Sequence, residues 1–265
     1  MNTVITPVDF SGASANALSF AVELCKRAHA RLLIVNVLQE QADEDEAQGK
    51  LNAIVSDLKD SVGTDFRCES LTAHGEFASA LKNIIDEHQA DLVVMGTKGA
   101  SGLKRILIGS NTVKVLRHAT VPVLVIPEVA RFENFLMKGK NRIVLATDLE
   151  ELQDDNAIDL LKEIALLIVE PKVRVLSVRP KRTELDFMKR MERDALLSIF
   201  SPEVESERVT VFSSNVMSGI NFYLNKHTDT GLLAMVARDS GQIIQKHYTR
   251  EMASHTQFPL LVCTM

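Results

Sequence analysis

The residues best suited to chemistry lie in one stretch, "MGTKGASGLKRILIGSN", Met95–Asn111. A chain with 12 glycines places four of them here, Gly96, Gly99, Gly102 and Gly109, and Ser110 follows the last. The apolar run "DLVV" comes before, and the amphipathic "NTVKVLRHA" comes after. This spacing predicts a strand, a glycine-rich loop and a helix start. In open parallel sheets, ligands bind outside the carboxyl ends of the strands. Glycines there let the backbone take φ > 0 and come close to a ligand. Gly109-Ser110-Asn111-Thr112 opens the helix, whose first N–H groups have no partner within it and lie at the positive end of its dipole. That arrangement suits an anion, phosphate above all, and the hydroxyls of Ser110 and Thr112 would be further donors. Turn formation alone would explain a single glycine. Four at a strand end and a helix start favour phosphate, although neither GxxxxGK[ST] nor GxGxxG is present.

The elements that must position this loop can be read from periodicity. Residues 3–8, 32–37, 66–73, 91–95 and 121–127 read as strands. Residues 15–28, 47–62, 77–88 and 111–119 carry apolar residues at helical spacing. Apolar strands separated by amphipathic helices predict βα units and a parallel sheet buried on both faces.

The pattern then repeats. "NTVITPVD" (2–9) aligns with "NRIVLATD" (141–148) at an offset of 139, and "IVNV" (34–37) with "VLSV" (175–178) at 141. "DLVVM" (91–95) aligns with "GLLAM" (231–235) at 140, and "VPVLVI" (121–126) with "FPLLVC" (258–263) at 137. Near-constant offsets across four strands indicate a duplicated domain. The expected domains are 1–128 and 141–265, joined through 128–140. The offset drops by three between the last two anchors, where the first copy keeps its glycines. In the second copy Ala146 replaces Pro7, while Val236 and Asp239 stand in the places of Gly96 and Gly99. A carboxylate repels phosphate and a β-branched residue disfavours φ > 0, so the second phosphate site is expected to be lost.

The bulk numbers set outer bounds. A length of 265 residues suits two domains of roughly 130 each. Apolar content of 46% and charged content of 25% are those of a globular protein. A net charge of −5 argues against a nucleic-acid partner held by a basic face. No run of about 18 apolar residues is present, which predicts no membrane span, and the first residues do not read as a signal peptide. The acidic run "DEDE" (43–46) reads as a solvated helix start. Three widely spaced cysteines, Cys25, Cys68 and Cys263, suit a reducing cytoplasm, and the seven histidines show no metal-ligand spacing.

Gly96-x2-Gly99-x9-Gly109-Ser110, with its flanks, resembles the terminal block of the nucleotide-binding branch of the universal stress protein family. "ITPVDFSGASANALSFA", with its Pro-x-Asp-x-Ser turn, resembles the opening strand of that family. The resemblance spans the first half and is weak in the second. It implies a tandem protein of α/β class: two open parallel five-stranded sheets with helices on both faces, Rossmann-like, packed as an intrachain pseudo-dimer. It also implies an adenine-nucleotide site, with ATP as ligand and Mg²⁺ as its companion ion. Pro7 and Asp9 would lie at the adenine end, the Asp9 carboxylate accepting from the exocyclic amine. Val37 would pack on the base, and Met95 and Gly96 would line the ribose. Gly99, Gly109, Ser110, Asn111 and Thr112 would hold the phosphates. Asn111-Thr112 departs from the frequent pair of a small apolar residue and a hydroxyl, but the backbone N–H groups survive that change.

Three functions fit these residues. One is a regulatory protein that binds adenine nucleotide in its first domain, as a monomer or a homodimer. Another is an enzyme of the same fold group, a slow ATPase or a nucleotidyl transferase. No paired histidine and carboxylate near the glycines offers acid–base chemistry, so the expectation leans away from an enzyme, with slow hydrolysis at most. The third is a nucleotide-free assembly module in which the glycines are relics.

Overall fold

The first helix shows how local chemistry sets the elements of this chain. Ser11 caps it, its side chain accepting from the N–H of Ser14, and the helix α1 runs over Gly12–Ala28. Its apolar stripe, Ala17, Phe20, Ala21, Leu24 and Cys25, is buried, and His29 ends it in the left-handed region at φ 53°. The computed structural model describes residues 1–39, 43–97, 109–132, 141–150, 156–180, 184–237 and 257–264. Within it the chain separates into two compact units, Met1–Glu128 and Val129–Met265.

In the first unit, β1 (Thr3–Pro7) is followed by α1, β2 (Arg31–Leu38), α2 (Glu44–Val62), β3 (Cys68–His74), α3 (Phe77–His88), β4 (Leu92–Gly96), α4 (Ser110–His118) and β5 (Val123–Ile126). The strands are parallel, in the order β3-β2-β1-β4-β5. β1, β4 and β5 are almost wholly buried and apolar, as a sheet covered on both faces requires. β3 stands at the edge and is mostly half-exposed. The acidic run opens α2, with Asp43 as its cap.

The second unit repeats this plan. It consists of β6 (Arg142–Ala146), α5 (Asn156–Leu166), β7 (Lys172–Arg179), α6 (Phe187–Phe200), β8 (Glu205–Phe212), α7 (Val216–Lys226), β9 (Thr230–Ala237) and β10 (Leu260–Thr264). Its strands are parallel in the order β8-β7-β6-β9-β10.

Strand register carries the duplication residue by residue. Thr3 pairs with Arg31 and Arg142 with Lys172, which gives offsets of 139 and 141. Val93 pairs with Val123 and Leu233 with Leu260, which gives 140 and 137. The three-residue shortening therefore lies between the fourth and fifth strands of the unit.

All three cysteines are free and buried. Burial raises the Cys25 and Cys263 thiols to about 12 and Cys68 to about 11, so they pack as small apolar groups. Among the described residues no helix is long and apolar enough to cross a membrane.

Candidate functional site

With β1 flanked by β2 and β4, the first sheet changes direction between β1 and β4, the place where open α/β sheets form a crevice at their carboxyl ends. A cavity of about 240 Å³ opens there. Pro7, Asp9, Val37, Met95, Gly96, Gly109, Ser110, Asn111 and Thr112 all line it. Gly99, and with it Lys98 and Gly102, lies outside the described residues. Val8, Ser11, Ala13, Ser14, Asn36 and Phe77 also line the cavity. Of these, Asn36 left a signal in the sequence, as a lone amide within the buried run "LLIVNVL".

Two glycines work differently from the sequence expectation. Positive φ among the described glycines is confined to Gly63 and Gly75. Gly96 is needed because the first turn of α1 comes against the end of β4. A Cβ at Gly96 would lie 2.5 Å from the carbonyl oxygen of Ala13 and 2.9 Å from its carbon. Gly109 sits at φ −63°, ψ 148°, extended backbone open to any residue, and caps α4 with no side-chain bond. The caps of α1, α2, α3, α6 and α7 each accept from the helix with a side chain. α4 thus presents Ser110, Asn111 and Thr112 at an end with neither a side-chain cap nor an acidic residue in its first turn. The Thr112 hydroxyl is not free as a donor to a phosphate, because its proton goes to the Gly96 carbonyl at 3.1 Å.

Asp9 shapes the chain as it leaves β1. Its Oδ1 accepts the Ser11 N–H at 3.1 Å, its own N–H donates to Ser14 Oγ at 3.3 Å, and Phe10 between them sits at φ 61°. Burial pushes the Asp9 carboxyl up, but the bonds from Ser11 and Ser14 outweigh it and hold the group below its ordinary value. The second unit makes the same turn. Asp148 Oδ1 accepts the Glu150 N–H at 3.2 Å, and Leu149 sits at φ 60°.

The strand ends of the second unit are otherwise different. Val236, the counterpart of Gly96, is 2% exposed. Asp239 and the remainder of that loop lie outside the described residues. A cavity of about 230 Å³ opens between the ends of β6 and β7 and is bordered by Thr147, Ser177 and Lys189. There the Lys189 ammonium is held by Glu150 at 2.6 Å.

The first cavity offers a helix start to an anion, apolar walls from Pro7, Val37 and Met95, and a buried amide at Asn36. Among the described residues no group of three or more His, Cys, Asp or Glu side chains could hold a metal ion.

The comparisons with known proteins agree with this architecture. The sequence profile of the "Universal stress protein family" matches residues 1–127. Universal stress protein YxiE of Bacillus subtilis is 30% identical over 145 residues, covering 47% of this chain and 98% of that protein. Universal stress protein MJ0531 of Methanocaldococcus jannaschii is 28% identical over 139 residues, covering 46% of this chain and 80% of that one. A universal stress protein of known structure from Archaeoglobus fulgidus matches 99% of this chain and 98% of its own, with a TM-score of 0.73. At 17% identity that last likeness is one of fold. With the switch-point cavity, the doubled five-stranded plan and these relatives taken together, the chain belongs to the universal stress protein family.

Proposed function

We propose that the first unit binds an adenine nucleotide, ATP with Mg²⁺, and that the second does not, making the chain a nucleotide-dependent regulatory protein of the cytoplasm. The observation that carries this reading is the start of α4. It faces the switch-point cavity with a glycine cap and no side chain in the place where the other caps accept from their helices. Backbone N–H groups at such an end favour phosphate over neutral ligands. Pro7, Val37 and Met95 give the same cavity apolar walls for a base. In the second unit, buried Val236 stands where Gly96 admits the close approach of α1.

The test is calorimetry on the full chain, stripped of any nucleotide retained from the cell. About one ATP per chain is expected, bound more tightly with Mg²⁺, because the ion neutralises phosphate charge. A stoichiometry near two would refute the one-site reading. No binding, with none retained from the cell, would refute the nucleotide reading altogether.

A further inference from the structure

The helix α6 carries an outward face that its fold does not require. Phe187 and Met188 are each 65% exposed and Met191 is 55% exposed, all near its start. Among the described residues every other helix exposes at most one large apolar side chain. α2 holds the same place in the first unit, between the second and third strands. Its exposed positions are polar or small, from Glu44, Asp45 and Glu46 to Asp57, Lys59 and Asp60. The βα plan is therefore satisfied without apolar residues there. A cluster of exposed apolar side chains on one of two equivalent helices is the usual mark of an interaction site.

The face is complementary to itself. Helical geometry sets Phe187, Ala195 and Ser198 within about 40° of Met191 around α6, with Met188 to one side and Arg190 and Asp194 to the other. Ala195 and Ser198 are exposed, and the Ser198 hydroxyl donates to the Ala195 carbonyl at 2.7 Å, so covering it strands no donor. Two such helices set antiparallel about a twofold axis near Met191, the sense their dipoles favour, bring like flank to like flank. Met188 then lies over Ala195 of the second copy. Arg190 stands on the same flank as that copy's Asp194, about 3 Å from its level along the helix. Within one chain these charges are lightly held: Arg190 reaches Glu184 only at 4.0 Å, and Arg193 takes one oxygen of Asp194 at 2.8 Å. A flank with one cation and one anion suits neither an anionic membrane nor a nucleic acid, but it matches its own inverse.

We infer that the outward face of α6 is a homodimer interface, covering Phe187, Met188 and Met191 with the same face of a second copy and pairing Arg190 with that copy's Asp194. This goes beyond the nucleotide reading and stands apart from it, since none of these residues lines the first cavity. One helix pair buries less than a standard interface, so the dimer is a weak one.

The experiment is sedimentation equilibrium of the full chain across the micromolar range, with Met191→Glu, Arg190→Glu, Asp194→Arg and the double variant that carries both charge reversals. The native chain shows a monomer–dimer equilibrium. Met191→Glu sets two carboxylates together at the axis and raises the dissociation constant at least about tenfold. Each single reversal weakens pairing, and the double reversal restores it to within about threefold of native. Circular dichroism checks the fold of every variant; if Met191→Glu does not fold, Met191→Gln is read in the same way. A native chain that stays monomeric throughout the range overturns the inference. So does a dimer that Met191→Glu leaves intact, since it would use another surface. An open polymer overturns it as well, because a face that pairs with itself closes at two copies. A double reversal that fails to recover pairing excludes the antiparallel match of Arg190 with Asp194, and with it the inference.

Discussion

The Thr112 hydroxyl donates to the Gly96 carbonyl oxygen across 3.1 Å, and at 3% exposure Thr112 is sealed from solvent. One side chain thereby sets the start of α4 against the end of β4. Thr112→Val keeps the shape and removes the donor, leaving a carbonyl short of a partner. The expected loss is about 1–2 kcal/mol of stability, together with weaker ATP binding. Urea unfolding and calorimetry of the same variant check the two effects.

Gly96 and Gly12 should respond in opposite senses to alanine. At Gly96 the new methyl meets backbone of Ala13 at 2.5 Å, which cannot give way cheaply, and a loss of about 1–3 kcal/mol is expected. At Gly12, in the first turn of α1, nothing lies within 4 Å, and alanine should raise stability by up to about 1 kcal/mol through the unfolded chain. Equal melting temperatures for the two variants would contradict this account of Gly96.

Gly109→Val separates ligand contact from fold. The backbone at φ −63°, ψ 148° is one that valine adopts without strain. Its side chain would stand at the mouth of the helix start. Circular dichroism and melting should remain near native while ATP binding disappears. A collapse of the melting transition would show that this glycine serves the turn after all.

Phe10 and Leu149 share one left-handed backbone, at φ 61° and 60°, but differ in exposure at 40% and 2%. Glycine relieves strain of about 1 kcal/mol at either site. At Leu149 it also empties a buried position, which costs about 2–5 kcal/mol. Leu149→Gly should therefore unfold at clearly lower urea concentration than Phe10→Gly, and the reverse order would exclude strain and burial as the governing effects.

Glu76 ties α3 to α4. Its carboxylate takes the Lys114 ammonium at 2.7 Å and the Ser79 N–H at 3.0 Å. Those two bonds, Lys114 foremost, hold the carboxyl down at about 2, against an ordinary 4.5. A folded-state value below the unfolded one means that the contribution is complete above the unfolded value and fades as pH falls toward the folded one. The stability gap between the native chain and Glu76→Gln should stay constant above about pH 5 and close below it. A gap that widens on acidification would reverse the sign.

What the sequence made legible were the buried strands and their repetition, because period and β-branched composition are local properties. "DLVVM" and "GLLAM" announced β4 and β9 at the offset that their registers carry. The cavity could be anticipated from Gly96 and Gly109 at a strand end and a helix start. The work done by Gly96 could not, since its constraint is the carbonyl of Ala13, over eighty residues earlier in the chain. Asn36 was visible as an amide in an apolar strand, but its vacant acceptor depends on Val8, which the fold alone brings near. β8 was hard to see for another reason: at the edge of its sheet it alternates between exposed and half-exposed positions, so burial never imprinted a clear pattern.

The aspartate turn leaves β1 and β6 in the same way, although the strand ends beyond them differ. The diagnostic value of that aspartate is therefore low. A motif search that scores this aspartate alone would treat both halves of this chain alike, because chain geometry is enough to explain the residue in each. The two units differ farther along, where Gly96 ends β4 and its counterpart Val236 lies within β9. On the one-site reading proposed above, a degenerate repeat in a tandem chain is recognised at that position, with no knowledge of its ligand, by asking whether the neighbouring helix has room for a methyl group.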